Sequence, residues 1–191
     1  MSENTTEIFN VENLKAEFKA FVTAYIHRDG INSLMNWLDS TDFYVAPAST
    51  KYHGAVPGGL CAHSLQVFKN LLRKYESGES MESFAIVALF HDLCKVNFYK
   101  ATEKTDSDGN VTIKYSIDDQ LPMGHGEKSI YYIVRHMELT AEELLSIRWH
   151  MGAYATRNTG EADAMQQTLN KYKLALKLQQ SDMEAAYWNH C

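Results

Sequence analysis

Residues 81–95 read MESFAIVALFHDLCK, and this stretch decides the fold. Residues 84–90 are an unbroken apolar run. A helix that is apolar on every side is the buried centre of its domain. The run opens directly onto His91-Asp92, so two chemistry-bearing side chains stand at the end of the most buried element. An ionised aspartate taken out of water is costly unless it is paired or bound to a cation. One helix is expected over residues 81–95, with that cost concentrated at its end.

On the N-terminal side, Leu14, Phe18, Phe21, Val22 and Tyr25 recur at helical spacing before Asp29-Gly30, which predicts a helix over residues 11–27. A shorter helix over residues 31–38 carries Leu34, Met35 and Trp37, completing an N-terminal pair within residues 1–45. Periodicity fails over residues 40–60, where Pro47, Gly54, Pro57, Gly58 and Gly59 mark a loop. Leu65, Phe68, Leu72 and Tyr75 share a face of a helix over residues 62–75. Beyond the apolar run, Asp106-Ser107-Asp108-Gly109-Asn110 separates two β-prone segments and predicts a hairpin over residues 97–117. Helices resume near His125, and Thr140-Ala141-Glu142-Glu143 reads as a capping box. A last long helix is expected over residues 168–187, with Tyr172, Ala175, Leu178 and Ala186 inside. The expected fold is all-α, a helical bundle decorated by one small β-hairpin. It forms a single domain over residues 1–191, with the chemistry within residues 46–188.

With 45% apolar and 22% charged residues, the composition excludes a disordered or collagen-like chain. No apolar run is long enough to span a membrane. The start is polar and acidic, unlike a signal peptide, and the three cysteines are too few and odd in number for a disulfide framework. A cytoplasmic protein is expected. The net charge of −6 weighs against a broad nucleic-acid-binding surface. Eight histidines remain to be explained.

Four of them fall at informative places. His63 opens the helix over residues 62–75, His91 ends the apolar run, His125 begins a helix, and His150 follows Ile147 by three positions. Asp182 follows Leu178 by four within the last apolar stripe. With Asp92, these side chains point toward the core or a cleft in it. Two carboxylates and four imidazoles satisfy one another most simply by holding divalent transition-metal ions, and imidazole with carboxylate suits Mn, Fe, Co, Ni or Zn. Six ligands exceed what one catalytic ion with an open position uses, so two ions bridged by one carboxylate are expected.

In order, His63, His91-Asp92, His125, His150 and Asp182 form the pattern H…HD…H…H…D. This resembles the HD-domain phosphohydrolase superfamily. Residues 46–67, APASTKYHGAVPGGLCAHSLQV, are similar to the entry segment of the HD hydrolases that include bacterial 3′-5′ exoribonucleases. ALFHDLCKV (88–96), GHGEKS (124–129) and RWHMGAY (148–154) resemble the later motifs. The resemblance implies one ion on His63, His91, Asp92 and Asp182, and a second on His125, His150 and the bridging Asp92. It places Lys95 at the lysine of HD-x-x-K, where it would meet a substrate phosphate, and makes His53 a cleft residue rather than a ligand. Cys94 stands where the family often has glycine and reads as an inert buried thiol. No OB domain like that of the exoribonuclease relatives is expected, since only about 60 residues precede His63.

The implied activity is hydrolysis of a phosphate ester, of a nucleotide or related small molecule, by a hydroxide bridging the two metals. Asp92 and Lys95 are the expected catalytic residues. Lys51, His53, Lys95 and Arg157 are the expected substrate contacts, with Lys100, Lys104 and Lys114 as further cations near the mouth. One alternative is a 3′-5′ nuclease acting on short single strands, with Tyr99, Tyr115 or Tyr131 stacking on bases. Another is a sensor that binds metal or nucleotide without turnover. His27, His136 and His190 have no assigned task.

Overall fold

A computed structural model of the protein describes residues 9–105 and 109–188. The centre of the hairpin turn, Asp106-Ser107-Asp108, and the terminal His190 and Cys191 lie outside the described residues. Eight α-helices and one hairpin appear among them: α1 Val11–Tyr25, α2 Ile31–Asp39, α3 Gly59–Leu72, α4 Met81–Phe90, β1 Tyr99–Thr105, β2 Val111–Ile117, α5 His125–Val134, α6 Ala141–Trp149, α7 Thr159–Lys171 and α8 Lys173–Tyr187. The fold is mostly α with a two-stranded antiparallel arm. No helix among the described residues is long and apolar enough to cross a membrane.

Helix α4 is the axis of the core. Every residue from Phe84 to Phe90 is buried, and α1, α3, α6 and α8 pack around it. The N-terminal pair shares this core: Phe18 of α1 meets Phe43, Tyr44 and Phe90 edge-on at centroid distances of 4.9–5.9 Å. Phe43, Tyr44, Ala46 and Ala48 are buried, so the segment before α3 is packed down although it lacks helical period. Four helices start on side-chain caps: Asn10 for α1, Ser80 for α4, Thr140 with Glu143 as a full capping box for α6, and Asn158 for α7.

Two sequence expectations are corrected. The helix expected over residues 81–95 ends at Phe90. Asp92 turns away (φ −105°, ψ 20°) into a 3-10 turn over Leu93–Lys95, where Lys95 N–H reaches back to Asp92 O at 3.0 Å. Cys94 N–H donates to Ser129 Oγ at 3.0 Å, a partner outside the helix that replaces an i−4 carbonyl. The helix expected over residues 168–187 is two, broken where Tyr172 is extended (φ −122°, ψ 107°). Helix α7 buries only Thr168, whereas α8 buries Leu174, Ala175, Leu178, Ser181 and Ala185. No common apolar stripe joins the two, so nothing holds one straight axis.

Arg28, between α1 and α2, ties two helix starts together. Its guanidinium donates to both carboxylate oxygens of Glu143 (2.6 and 2.8 Å) and to Glu82 Oε2 (3.2 Å). Glu143 is fully buried and also accepts from Thr140 N–H at 2.8 Å. Burial pushes its carboxyl up, but the hydrogen bond from Arg28 and those from Ser83 and Thr140 hold it below its ordinary value. Because the folded pKa is the lower one, this stability is complete above the ordinary value of 4.5 and drains as pH falls below it. Glu143→Gln leaves the guanidinium facing an uncharged amide and should cost about 2 kcal/mol in urea unfolding at neutral pH. Part of the acid-induced loss below that pH should vanish with it. An unchanged urea midpoint would overturn this account.

Candidate metal centre

Five helix ends and turns deliver the expected donors to one place. His63 lies in the second turn of α3, His91 caps the C-terminus of α4, and His150 caps that of α6. His125 is the first residue of α5, and Asp182 lies on α8. Neighbouring rings of His63, His91, His150 and His125 follow one another at centroid distances of 5.3, 4.9 and 5.1 Å.

His91 and His150 are held by the same device. Each ring directs Nδ1 at the carbonyl three residues back, Ala88 O at 2.8 Å and Ile147 O at 2.7 Å. A carbonyl only accepts, so Nδ1 carries the proton, and when the ring is neutral Nε2 is left with its lone pair. Both Nε2 atoms are buried without a hydrogen-bond partner among the described residues. Each nevertheless faces a carboxylate oxygen: His91 Nε2 is 3.5 Å from Asp92 Oδ2, and His150 Nε2 is 3.5 Å from Asp92 Oδ1. A lone pair against an anion is repulsive unless a cation stands among them. The backbone bond to Nδ1 is the orientation that metal-binding imidazoles require.

Asp92 is 2% exposed and divides its two oxygens between two sides. Oδ1 faces His125 Nε2 at 2.8 Å and His150 Nε2. Oδ2 faces His91, His63 Nε2 at 3.7 Å and Lys95 Nζ at 2.7 Å. Asp182 Oδ1 meets His63 Nε2 at 2.9 Å and His91 Nε2 at 3.8 Å. Three overlapping sets have all donor atoms within 4.8 Å of one another: His63, His91 and Asp92; His91, His150 and Asp182; and Asp92, His125 and His150. Burial pushes both carboxyls up. Lys95 overcomes it at Asp92, and His63 does so with a hydrogen bond at Asp182, so both stay well below the usual carboxylate range. Burial pushes His125 down despite Asp92, which keeps its ring neutral. Imidazole nitrogens and ionised carboxylates are the donor forms that bind divalent transition metals, so the cluster can hold metal ions.

No protein-family model, curated protein or solved structure matches the chain.

The cluster floors a cavity of ≈ 440 Å³. Asp92, Lys95, His125, His150, Asp182 and His53 supply its polar end. Burial, with His63 and Lys95 nearby, pushes His53 down to about 4, so it is neutral at pH 7. Lys95 stays charged: burial would lower its pKa, but Asp92 holds it above the ordinary value. Tyr99, Ile117, Met151, Tyr154, Met183 and Tyr187 form an apolar wall, and Tyr99 and Ile117 come from the base of the arm. Lys51 and Arg157, expected as substrate contacts, are exposed and do not line the cavity; the same is true of Lys100, Lys104 and Lys114. Tyr99 lines it, while Tyr115 and Tyr131 do not. His27 lends only its backbone N–H, to Glu82, and His136 stacks on Trp37 beside Ser33.

Sequence reasoning missed Gln179, Tyr154, Met183 and Tyr187, all of which line the cavity. Gln179 lies three residues before Asp182 on α8, so helical spacing from a suspected ligand could have found it. Tyr154 and Tyr187 are 89% and 66% exposed, and exposed aromatics carry no periodic signal.

Close backbone approach sets the spacing of His125 and His150. A Cβ on Gly126 would lie 2.6 Å from Arg148 O and 2.7 Å from Ile147 O, so α5 and α6 meet backbone to backbone there. Gly126→Ala must push the helices apart. It should cost about 2 kcal/mol of stability and lower the metal bound per chain, measured by elemental analysis of the folded variant. Unchanged metal content and an unchanged melting temperature would refute this role for the glycine.

Proposed function

We propose that the protein is a metal-dependent phosphohydrolase of the HD-domain type, which cleaves the phosphate ester of a nucleotide or related small molecule. The observation that carries this reading is the division of Asp92, one oxygen toward His63 and His91 and the other toward His125 and His150, at the floor of a cavity. That division suits a carboxylate bridging two divalent ions, one on His63, His91, Asp92 and Asp182, the other on Asp92, His125 and His150. The order of these residues in the chain is the order of the HD pattern. When bound, the ions would supply positive charge against the phosphoryl oxygens and lower the pKa of water toward neutrality.

The chain's own residues do the rest. Asp92 orients the centre. Lys95 lines the cavity with its ammonium 2.7 Å from Asp92, close enough to turn toward a phosphoryl oxygen and meet its charge. His53, neutral at pH 7, offers a hydrogen bond without adding charge. Ser49 fixes the loop that carries it: its hydroxyl donates to His53 O at 2.9 Å and accepts from Tyr52 N–H at 2.8 Å. The apolar wall receives the organic part of the ester, with Tyr154 and Tyr187 free to stack on a planar group. Among the described residues Lys95 is the one cationic side chain on the lining, which favours a substrate with a single phosphate over an extended nucleic acid.

The test is metal content together with hydrolysis of an aryl phosphate, nucleoside monophosphates and short oligonucleotides across Mn, Fe, Co, Ni, Zn and Mg. Monoester turnover is expected, with kcat falling about a thousandfold in Asp92→Asn. Turnover confined to oligonucleotides would favour the 3′-5′ nuclease, and metal binding without turnover a sensor. Tyr154→Ala should raise KM for a nucleoside monophosphate several-fold with kcat nearly unchanged, because the ring contacts a part of the substrate that does not react.

A further inference from the structure

One polar side chain on the cavity lining has no part in the reaction above. Gln179 lies on α8, three residues and one turn before Asp182. It is the one carboxamide on the lining among the described residues, and its amide makes no hydrogen bond to any of them. The side chain is nevertheless held in place. Its amide packs on Gly152, where a Cβ would overlap Nε2. Gly152 has a φ of +55°, in the left-handed region that favours glycine, so the backbone there and the amide fit together only without a side chain between them. Gly152 is two residues after His150. The amide therefore stands beside both the segment that delivers Asp182 and the one that delivers His150.

The turn that supports the amide also carries an aromatic ring. Tyr154 is two residues after Gly152 in the 3-10 turn Gly152–Ala155, lines the cavity and is 89% exposed. Its backbone is fixed: Tyr154 N–H donates to Met151 O at 3.3 Å, and Thr156 N–H to Ala153 O at 3.2 Å. Tyr187, the other exposed ring of the wall, is eight residues from Gln179 on α8, about 12 Å along the axis and beyond Asp182. The ring that belongs with the amide is thus Tyr154, joined to it through Gly152.

A stacking face beside a free carboxamide selects one kind of ligand. The ring requires a planar partner. The amide offers a donor next to an acceptor, and its match is an edge with an acceptor next to a donor. Nucleobases combine the two, as adenine does in its face, N7 and N6 amino group. A sugar phosphate has no planar face, and a simple aryl phosphate has no such edge. The cavity volume of ≈ 440 Å³ falls within the range of about 300–1,000 Å³ typical of small-molecule sites.

We infer that Gln179 is the specificity-determining residue for the base of a nucleoside monophosphate, pairing with its edge while Tyr154 stacks on its face. The inference rests on the phosphohydrolase reading above and narrows its substrate to a nucleotide. The base takes no part in bond breaking, so the contribution of the amide falls on KM.

The test compares Gln179→Met with the wild type, both metal-loaded, on nucleoside 5′- and 3′-monophosphates, ribose 5-phosphate and 4-nitrophenyl phosphate. Methionine keeps an unbranched side chain over Gly152 and removes its hydrogen bonds. The wild type should favour its best nucleotide over ribose 5-phosphate by at least about tenfold in kcat/KM. Gln179→Met should raise KM for that nucleotide about tenfold with little change in kcat, against less than about threefold for the two base-free phosphates. Free nucleosides should inhibit hydrolysis of 4-nitrophenyl phosphate by the wild type and ribose should not, which tests base recognition even where the variant folds poorly. Wild-type turnover of ribose 5-phosphate as efficient as that of every nucleotide, equal losses in Gln179→Met on all substrates, or equal inhibition by nucleosides and ribose would overturn the role of Gln179 and leave the phosphohydrolase standing. No turnover of any of these substrates by the wild type would overturn both.

Discussion

A carboxylate buried at the C-terminal end of an apolar helix is the constraint on which the site depends. Asp92 leaves the core helix at the one point where α3, α5, α6 and α8 all bring a polar side chain within reach. Lys95 offsets part of its charge, but the imidazole nitrogens facing it from His91 and His150 are acceptors. A cluster that is electrostatically unsatisfied by itself is at odds with the general rule that buried polar groups are paired. Added positive charge resolves the conflict, and the fold presents it in a cavity that a small molecule can enter.

That arrangement changes what the overall acidity means. A chain of net charge −6 repels anions at long range. Within the cavity the relevant charges are Asp92, Asp182, Lys95 and whatever the cluster binds. Cations held there would reverse the local sign. On the function proposed above, the apolar wall would then select for the part of the substrate that carries no charge.

The sequence made the chemistry more legible than the geometry. The apolar run before His91-Asp92 announced the core helix, and its centrality follows from composition alone. The hairpin and the capping box at Thr140 were equally plain, because turn residues and caps are local signals. All six donor positions could be named, since a polar group at the end or on the inner stripe of an apolar element is visible in the letters. Two things were not. The departure of Asp92 from helical geometry depends on Ser129, which is 37 positions along the chain. The break at Tyr172 depends on which face α8 turns to the core. Lys51 and Arg157 were chosen for their charge, and charge alone does not say which way a loop points.

Arg28 binds Glu82 in the first turn of α4 and Glu143 in the first turn of α6, while the last turns of the same helices lead to His91 and His150, whose rings lie 4.9 Å apart. The two helices therefore run in the same direction, pinned at both ends. His91 is nine positions after Glu82 and His150 seven after Glu143, spans of about 13 and 10 Å. The pair acts as a gauge block: its length sets the reach of both imidazoles. One residue added to either strut would swing its histidine by about 100° with no slack to absorb it. The length of these two segments, more than the identity of their surface residues, is what this fold can least afford to change.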